Sequence, residues 1–201
     1  MPTNNEFRIA VLPGDGIGVE VTEACQAVLA AVQKRVGGFA LICESFDAGA
    51  NCYQARGTDL PNETYRASEA ADAILLGAMG LPDVRKTDGT EINPQLDLRF
   101  QLELYAGVRP IKSMKGVPSA LADPRAADID MVIIREQTEG LFIDIREPRP
   151  ENDAEISDRC LITRAGTERV TDFTFKLAAK RNKAGAPRVT CVDKANVLHS
   201  M

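Results

Sequence analysis

The stretch FRIAVLPGDGIG, residues 7–18, decides the fold. Its first half is a short apolar run that ends at Pro13, which is typical of a buried β-strand. A glycine turn follows, and the next segment, residues 19–36, has the periodicity of an amphipathic helix. The residues that share its apolar face are Val21, Ala24, Val28, Ala31 and Val32. Strand, turn and helix in this order predict the first unit of a parallel α/β sheet.

The same alternation continues through the first half of the chain. Residues 39–46 predict a second strand, residues 63–73 a helix and residues 73–80 a third strand. A further helix is predicted over residues 94–105, because Asn93 suits an N-cap and is followed by a proline at the first helical position.

The second half predicts further strands and one long helix. Residues 106–112 are expected to be extended, and IDMVIIRE (129–136) and RVTCV (188–192) to be buried strands. Residues 140–164 contain two strand-like runs, LFIDI and RCLITR, separated by a polar segment, which predicts a protruding hairpin arm. Residues 167–181 predict a helix with one apolar face, formed by Val170, Phe173 and Leu177.

Composition predicts a soluble globular protein of the cytoplasm. The 201 residues are 44% hydrophobic and 26% charged, and the net charge of -5 argues against a nucleic-acid-binding protein. No apolar run is long enough to span a membrane, and the N-terminus lacks the pattern of a secretory signal. The five cysteines form no CxxC pair, so we expect buried free thiols in a reducing compartment.

The glycine turn GDGIG (14–18) has two interpretations. Backbone amides between a strand and a helix can bind a phosphate, as in dinucleotide-binding folds. The spacing here is G-x-G-x-G and not G-x-G-x-x-G, so spacing alone favours a tight turn that needs positive φ.

Several basic residues lie near predicted strand ends, where ligands bind in α/β sheets. Arg109 and Arg135 lie at or near the ends of predicted strands, and Arg99 lies in a predicted helix. Converging guanidinium groups would suit an acid with several carboxylates, although each arginine alone could equally be a solvated surface residue. Lys194 follows the last predicted strand and could be a general base or a solvent-exposed lysine. The single histidine, His199, is taken as structural.

Four stretches together carry a resemblance to a known family. RIAVLPGDGIGVEV, LYAGVRPIK, VIIREQTEG and VTCVDKANVL occur in this order, and with them the whole chain resembles the β-decarboxylating dehydrogenases, which include isopropylmalate and isocitrate dehydrogenases. The resemblance implies a two-domain α/β fold of the isopropylmalate-dehydrogenase type, with a mostly parallel sheet in the first domain. Residues 1–105 would belong to the cofactor-side domain, and residues 106–201 to the substrate and dimerisation domain, with the arm near 140–164.

The family's chemistry implies a function. We expect an NAD-dependent oxidative decarboxylase that uses Mg²⁺ or Mn²⁺, acts on a hydroxy acid with several carboxylates and forms a homodimer. The short segment after the VIIREQTEG motif and the compact N-terminus favour 3-isopropylmalate as substrate. Tartrate or malate, isocitrate, and NADP in place of NAD remain alternatives. Neither nucleic acid nor membrane is expected as a partner.

The resemblance also assigns roles to individual residues. Lys194 matches the family's catalytic base, which is presented across the dimer interface to the partner's site, and Asn196 matches a neighbour that contacts substrate or nicotinamide. Arg99, Arg109 and Arg135 match the residues that bind the substrate's carboxylates. The loop LLGAMGLP (75–82), called here the nicotinamide-side loop, matches the family's loop of that position. The cofactor-binding residues implied are Ile17, Gly77, Ala78 and Met79.

Two departures from the family pattern limit these expectations. Phe142 occupies the position of the family's proton-donating tyrosine, which puts the protonation step in doubt. The family's metal-binding aspartates lie downstream of the VDKANVL segment, so no metal ligand is predicted in this chain. We therefore expect an N-terminal half that is inactive alone, with a truncated or regulatory non-catalytic relative as the rival interpretation.

Substrate identity is poorly specified by the segment before Arg99. Ile92 and Leu96 could border an isopropyl group, whereas Asn93 and Gln95 could bond a carboxylate or a hydroxyl.

Overall fold

A computed structural model describes residues 5–144, 154, 157–181 and 186–198. The chain divides into two compact units, Met1–Leu102 and Glu103–Met201.

The first unit is built on a three-stranded parallel sheet, as the sequence predicts. Its strands are β1 (Glu6–Gly14), β2 (Ala40–Ser45) and β3 (Ala73–Ala78), in the order β2-β1-β3. The apolar run of β1 occupies the centre, and Val11 and Leu12 are fully buried there. Because β1 is hydrogen-bonded on both sides, the glycine turn that follows it lies beside the end of β3.

Four helices accompany this sheet. They are α1 (Ile17–Val36), α2 (Ala50–Arg56), α3 (Asn62–Ala70) and α4 (Pro94–Gln101). The sequence did not predict α2, and it extended α4 too far, to residue 105. Asn93 occupies the N-cap of α4 as predicted, but its side chain makes no capping hydrogen bond.

The predicted apolar face of α1 is wrong as a buried face. Val21, Val28 and Val32 are 49%, 62% and 44% exposed. The helix instead turns Gly18 and Thr22 inward, where both are buried. Within the described residues nothing covers the valine stripe, which explains why its periodicity misled the prediction.

The second unit contains an antiparallel pair of strands and a long helix. The strand β4 (Ala106–Lys112) pairs with β5 (Asp130–Glu136), and α5 (Arg164–Arg181) packs against β5. The predicted apolar face of α5 is half-buried. Phe173 on that face meets the ring of Tyr105 edge-on, with 6.4 Å between ring centroids.

Three predicted strand-like runs in this unit differ from the structure. Leu141–Asp144 forms a 3-10 helix, and in the RCLITR run only Leu161 makes a bridge, with Gly140. Residues 188–192 form no strand, and Val192 is 88% exposed, because no other described segment pairs with them. Residues 145–153 and 155–156 of the predicted arm lie outside the described residues, as does His199.

The cysteines are free, as predicted, but only Cys52 is buried, and burial raises the pKa of its thiol. Cys43, Cys160 and Cys191 are exposed, so the prediction of buried thiols is wrong for them. No helix among the described residues is long and apolar enough to cross a bilayer.

Candidate functional site

Two of the three predicted carboxylate-binding arginines share one face of the β4–β5 pair. In the antiparallel register Arg109 lies opposite Ile133, and Arg135 lies opposite Gly107. Arg109 and Arg135 are therefore diagonal neighbours, two positions apart along the pair, and side chains at such positions lie on the same face within reach of each other. We call them the arginine pair. Arg99 belongs to the other unit, where it is half-buried in α4.

The guanidinium of Arg135 lies over the ring of Phe142. Its Cζ atom is 4.9 Å from the ring centroid, which is the geometry of a cation–π contact. The residue that replaces the family's tyrosine thus contacts a predicted substrate-binding residue. The phenyl ring can orient the arginine, but it has no hydroxyl proton to donate.

Glu136, the next residue along β5, fixes the turn that follows the strand. Its Oε2 accepts hydrogen bonds from the backbone N–H groups of Thr138 (2.8 Å) and Glu139 (2.7 Å), and its Oε1 accepts one from the Thr138 hydroxyl (2.6 Å). Arg169 of α5 lies 3.5 Å from the same carboxylate and donates to the Thr138 hydroxyl at 2.6 Å. Burial of Glu136 disfavours ionisation, but these hydrogen bonds and Arg169 outweigh it and lower its pKa.

Glu139 joins the same turn to the start of α5. Its carboxylate accepts hydrogen bonds from the backbone N–H of Thr163 (2.9 Å) and from the Thr163 hydroxyl (2.6 Å). A Cβ added at Gly166 would lie 2.4 Å from the Glu139 Oε1 atom, so glycine there allows the carboxylate to approach the helix. Beside it, Gly140 and Leu161 exchange two backbone hydrogen bonds. Glu139, Gly140, Leu161 and Thr163 form what we call the arm base.

Neither glutamate was assigned a role from the sequence. Their hydrogen bonds are structural, and Arg135 is the charged residue that β5 presents on the face shared with Arg109. The only local sign that Glu136 would fix this turn was the threonine two residues later, whose hydroxyl and N–H both donate to it. Nothing near Glu139 in sequence pointed to Thr163, which is 24 residues away.

The glycine turn is closely packed against the end of β3. A Cβ added at Gly14 or Gly18 would lie 2.1 Å or 2.6 Å from the carbonyl oxygen of Ala78, and one at Gly77 would lie 2.1 Å from the carbonyl oxygen of Pro13. These glycines let the start of α1 approach β3 directly. Gly14 and Gly16 have positive φ, 75° and 52°, as the tight-turn interpretation of GDGIG requires.

The residues predicted to bind the cofactor differ in accessibility. Ile17, at the start of α1, is 66% exposed, and Ala78 is also exposed. Gly77 is packed against β1 and Thr22, and Met79 packs on the core cluster that contains Leu12. Ile17 and Ala78 are thus the members of this set that a planar ligand could contact directly.

Lys194 and Asn196 lie in one exposed turn. The Lys194 carbonyl accepts hydrogen bonds from the N–H groups of Val197 (2.9 Å) and Leu198 (2.8 Å). Asp193 Oδ1 accepts one from the N–H of Ala195 at 3.1 Å. Lys194 and Asn196 are both exposed.

The segment before Arg99 contributes less to a pocket than predicted. Ile92 is 3% exposed and packs with Ala50 and Val84, which leaves little of its side chain available to border an isopropyl group. Leu96, Asn93 and Gln95 are half-buried. The Oε1 atom of Gln95 is buried without a hydrogen-bond partner among the described residues.

No group of three His, Cys, Asp or Glu side chains in the described part of the chain could hold a metal ion.

Comparison with protein families places this arrangement among known proteins. Residues 8–201 match the family model described as isocitrate/isopropylmalate dehydrogenase. A 3-isopropylmalate dehydrogenase of Bifidobacterium longum is 44% identical over 196 residues, which are 96% of this chain and 54% of that protein. A homoisocitrate dehydrogenase of Methanocaldococcus jannaschii is 38% identical over 197 residues, with 96% and 53% covered.

Solved structures show the same similarity. A β-decarboxylating dehydrogenase from Thermococcus kodakarensis matches 96% of this chain and 51% of its own, with a TM-score of 0.71 and 32% identity. An isocitrate dehydrogenase from Methylococcus capsulatus matches 88% of this chain and 49% of its own, with a TM-score of 0.69 and 28% identity. The chain spans about half the length of the curated relatives it matches.

Proposed function

We propose that this chain, which belongs to the isocitrate/isopropylmalate dehydrogenase family, contributes to the oxidative decarboxylation of 3-isopropylmalate. In this proposal the reaction uses NAD and Mg²⁺ or Mn²⁺. Among the relatives described above, the most similar is a 3-isopropylmalate dehydrogenase. We further propose that the protein acts in the cytoplasm as a homodimer.

The arginine pair carries the proposal. Two guanidinium groups on one sheet face can bind two carboxylates, or two oxygens of one carboxylate, through paired hydrogen bonds. Their fixed register on adjacent strands sets the spacing at which an acid is bound. A solvated surface arginine would not require Phe142 to lie against its guanidinium.

In the proposed reaction the chain's residues bind the acid and move a proton. Arg109 and Arg135 hold the carboxylates, and Lys194 takes the proton of the substrate hydroxyl while the carbon that bears this hydroxyl gives up its hydride. Ile17 and Ala78 would contact the NAD molecule that accepts this hydride. After carbon dioxide leaves, the enol carbon needs a proton, which Phe142 cannot supply.

The two implied cofactors fit the described residues differently. The exposed side chains of Ile17 and Ala78 fit a nucleotide that lies against the start of α1 and the end of β3. A divalent metal has no candidate ligand set among the described residues, so no step through a metal is derived for this chain.

The test uses the product of the complete reading frame that encodes this chain. Purified protein is assayed for NADH or NADPH formation with 3-isopropylmalate, isocitrate, homoisocitrate, tartrate and malate, with and without Mg²⁺ or Mn²⁺. We expect 3-isopropylmalate with NAD to give the highest kcat/KM, and Lys194→Ala to remove NADH formation. Preference for another acid would replace the substrate assignment, and activity unaffected by Lys194→Ala would refute the role of the base.

The proposed homodimer has its own test. If Lys194 serves the partner's site, a mixture of the Lys194→Ala and Arg135→Ala proteins restores activity that neither variant has alone. A monomer by sedimentation, or no restoration on mixing, would contradict a shared site.

Phe142 favours a second candidate, a non-catalytic relative that binds the acid without turnover. Such a protein would bind 3-isopropylmalate in a titration that depends on Arg135, yet form no NADH with any acid or metal. Turnover by the wild-type protein would exclude this candidate.

A further inference from the structure

The carboxylate of Asp15, in the glycine turn, is connected to two separate segments of the first unit. Its Oδ2 accepts hydrogen bonds from the N–H groups of Ala50 (2.6 Å) and Gly80 (2.8 Å), and its Oδ1 accepts one from Asn51 (2.8 Å). The Asp15 N–H donates to the carbonyl of Ala78 at 2.7 Å. Asp15 therefore bonds the backbone of the nicotinamide-side loop on both sides of Met79.

Burial makes these bonds necessary. Asp15 is 2% exposed, and its carboxylate accepts hydrogen bonds from three backbone N–H groups. A buried carboxylate is tolerated only when its oxygens accept several hydrogen bonds, and bonds to an ionised acceptor are stronger than those between neutral groups. The backbone at Gly80, which has φ of 94°, must therefore stay within bonding distance of this carboxylate.

We propose that Asp15 is a positioning residue that holds the nicotinamide-side loop in the conformation that binds the nucleotide. This inference rests on the proposed function, because the loop's role comes from it. Asp15 does not touch the ligand. It fixes the backbone at Ala78 and Gly80, and so sets where the exposed Ala78 side chain lies.

Gly49 supports the same assignment from the opposite side. A Cβ added there would lie 2.2 Å from Asp15 Oδ2, and the residue has φ of 108°, which L side chains rarely adopt. The chain thus leaves room at Gly49 for the carboxylate to reach α2 and Gly80 together. Gly49→Ala would displace the carboxylate without changing its charge, whereas Asp15→Asn changes its chemistry without adding bulk.

The experiment compares these two variants with matched controls in the product of the complete reading frame. Asp72→Asn is the control for Asp15→Asn, because the Asp72 carboxylate also accepts a backbone N–H, that of Arg8, but is exposed and lies by the start of β3 and not at its end. Gly89→Ala is the control for Gly49→Ala, because Gly89 has φ of 85° with nothing within 4 Å of an added Cβ. The Michaelis constants for NAD and for the acid, kcat and amide hydrogen exchange at Gly80 are measured for each.

We expect Asp15→Asn and Gly49→Ala to raise the Michaelis constant for NAD, and to lower kcat/KM for NAD by roughly 10²-fold, the effect of a small misplacement of a binding group. The Michaelis constant for the acid should stay within a factor of about two, and both controls should resemble wild type. Simple loss of folded protein would lower kcat and leave both Michaelis constants unchanged, which would overturn the proposal.

Amide exchange keeps the inference separate from the proposed function. Slow exchange at Gly80 in the wild type, faster in Asp15→Asn but not in Asp72→Asn, supports the positioning role even if no acid is oxidised. Fast exchange at Gly80 in the wild type overturns it, even if the protein proves to be a dehydrogenase or a variant does not fold.

Discussion

Replacing Glu136 by glutamine tests whether the Glu136 carboxylate stabilises the turn that follows β5. The glutamine keeps one acceptor oxygen but loses the charge. In the wild type the N–H groups of Thr138 and Glu139 lie 2.7–2.8 Å from Oε2, and an amide nitrogen at that position cannot accept their hydrogen bonds. Losing a hydrogen bond to a charged group costs about 1.5–3 kcal/mol. We therefore expect local opening of the turn to become about 10- to 150-fold more frequent.

Amide hydrogen exchange at Thr138 and Glu139 measures this opening directly. The effect should depend on pH, because the pKa of Glu136 is lowered in the folded chain. A lowered pKa gives stability that is fully present above the ordinary glutamate value of about 4.3 and is lost as pH falls through the folded value. The difference between wild type and Glu136→Gln should therefore be constant near neutral pH and shrink in acid.

Glu168→Gln provides the matched control. This glutamate lies on α5 in the same unit, with a side chain that is 68% exposed and 3.6 Å from Arg164, and such surface pairs contribute little. If Glu136→Gln exchanges no faster than Glu168→Gln at Thr138 and Glu139, the hydrogen bonds described for Glu136 do not stabilise the turn, and the structural role is refuted.

Three further outcomes are expected. Arg135→Lys should raise the Michaelis constant for the acid by an amount equal to about 1.5–3 kcal/mol, because an ammonium cannot make two parallel bonds. The surface control Arg164→Lys should leave this constant unchanged, and equal Michaelis constants for the two variants would remove Arg135 from the site. Phe142→Tyr should keep NADH formation and, in single-turnover kinetics, quicken the protonation that follows decarboxylation. Phe142→Leu should weaken binding of the acid by about 0.5–2 kcal/mol, because the ring that contacts Arg135 is lost. If Phe142→Tyr abolishes NADH formation, the ring has only a packing role. Gly166→Ala should speed amide hydrogen exchange at Thr163, because the added methyl group displaces the Glu139 carboxylate. The control Gly116→Ala, where an added Cβ has open space around it, should leave this exchange unchanged. If neither variant changes the exchange rate at Thr163, the tight contact between Gly166 and Glu139 is contradicted.

The elements that the sequence predicted well are those determined by local pattern. The strand β1 was located by its apolar run and the proline near its end, and β4 was predicted as extended chain with its observed bounds. In α5 the residues of the predicted apolar face are half-buried, and the helix packs on β5. Each of these needs only neighbouring residues to be specified.

The elements that were missed depend on partners far away in sequence. The start of α2 is held by Asp15, 35 residues earlier, and no local pattern at Ala50 reveals that. Conversely, residues 188–192 have a strand-like composition but no described neighbour to pair with. The composition of a segment favours a strand, but the strand forms only where a neighbouring strand pairs with it.

The candidate site was predictable as residue types and not as geometry. Arg109 and Arg135 could be selected because they lie at or near predicted strand ends, but their common face follows from an antiparallel register that the sequence did not specify. The contact between Arg135 and Phe142 crosses a turn whose shape depends on Glu136.

The arm base has a consequence for how this chain can vary. Gly140 with Leu161, and Glu139 with Thr163, close the chain on itself before and after the arm. Closing a loop of twice the length costs only about 0.6 kcal/mol more, whatever conformation the intervening residues adopt. Residues could therefore be inserted or removed between these anchors while β5 and α5 keep their places, so the arm can change length independently of the arginine pair.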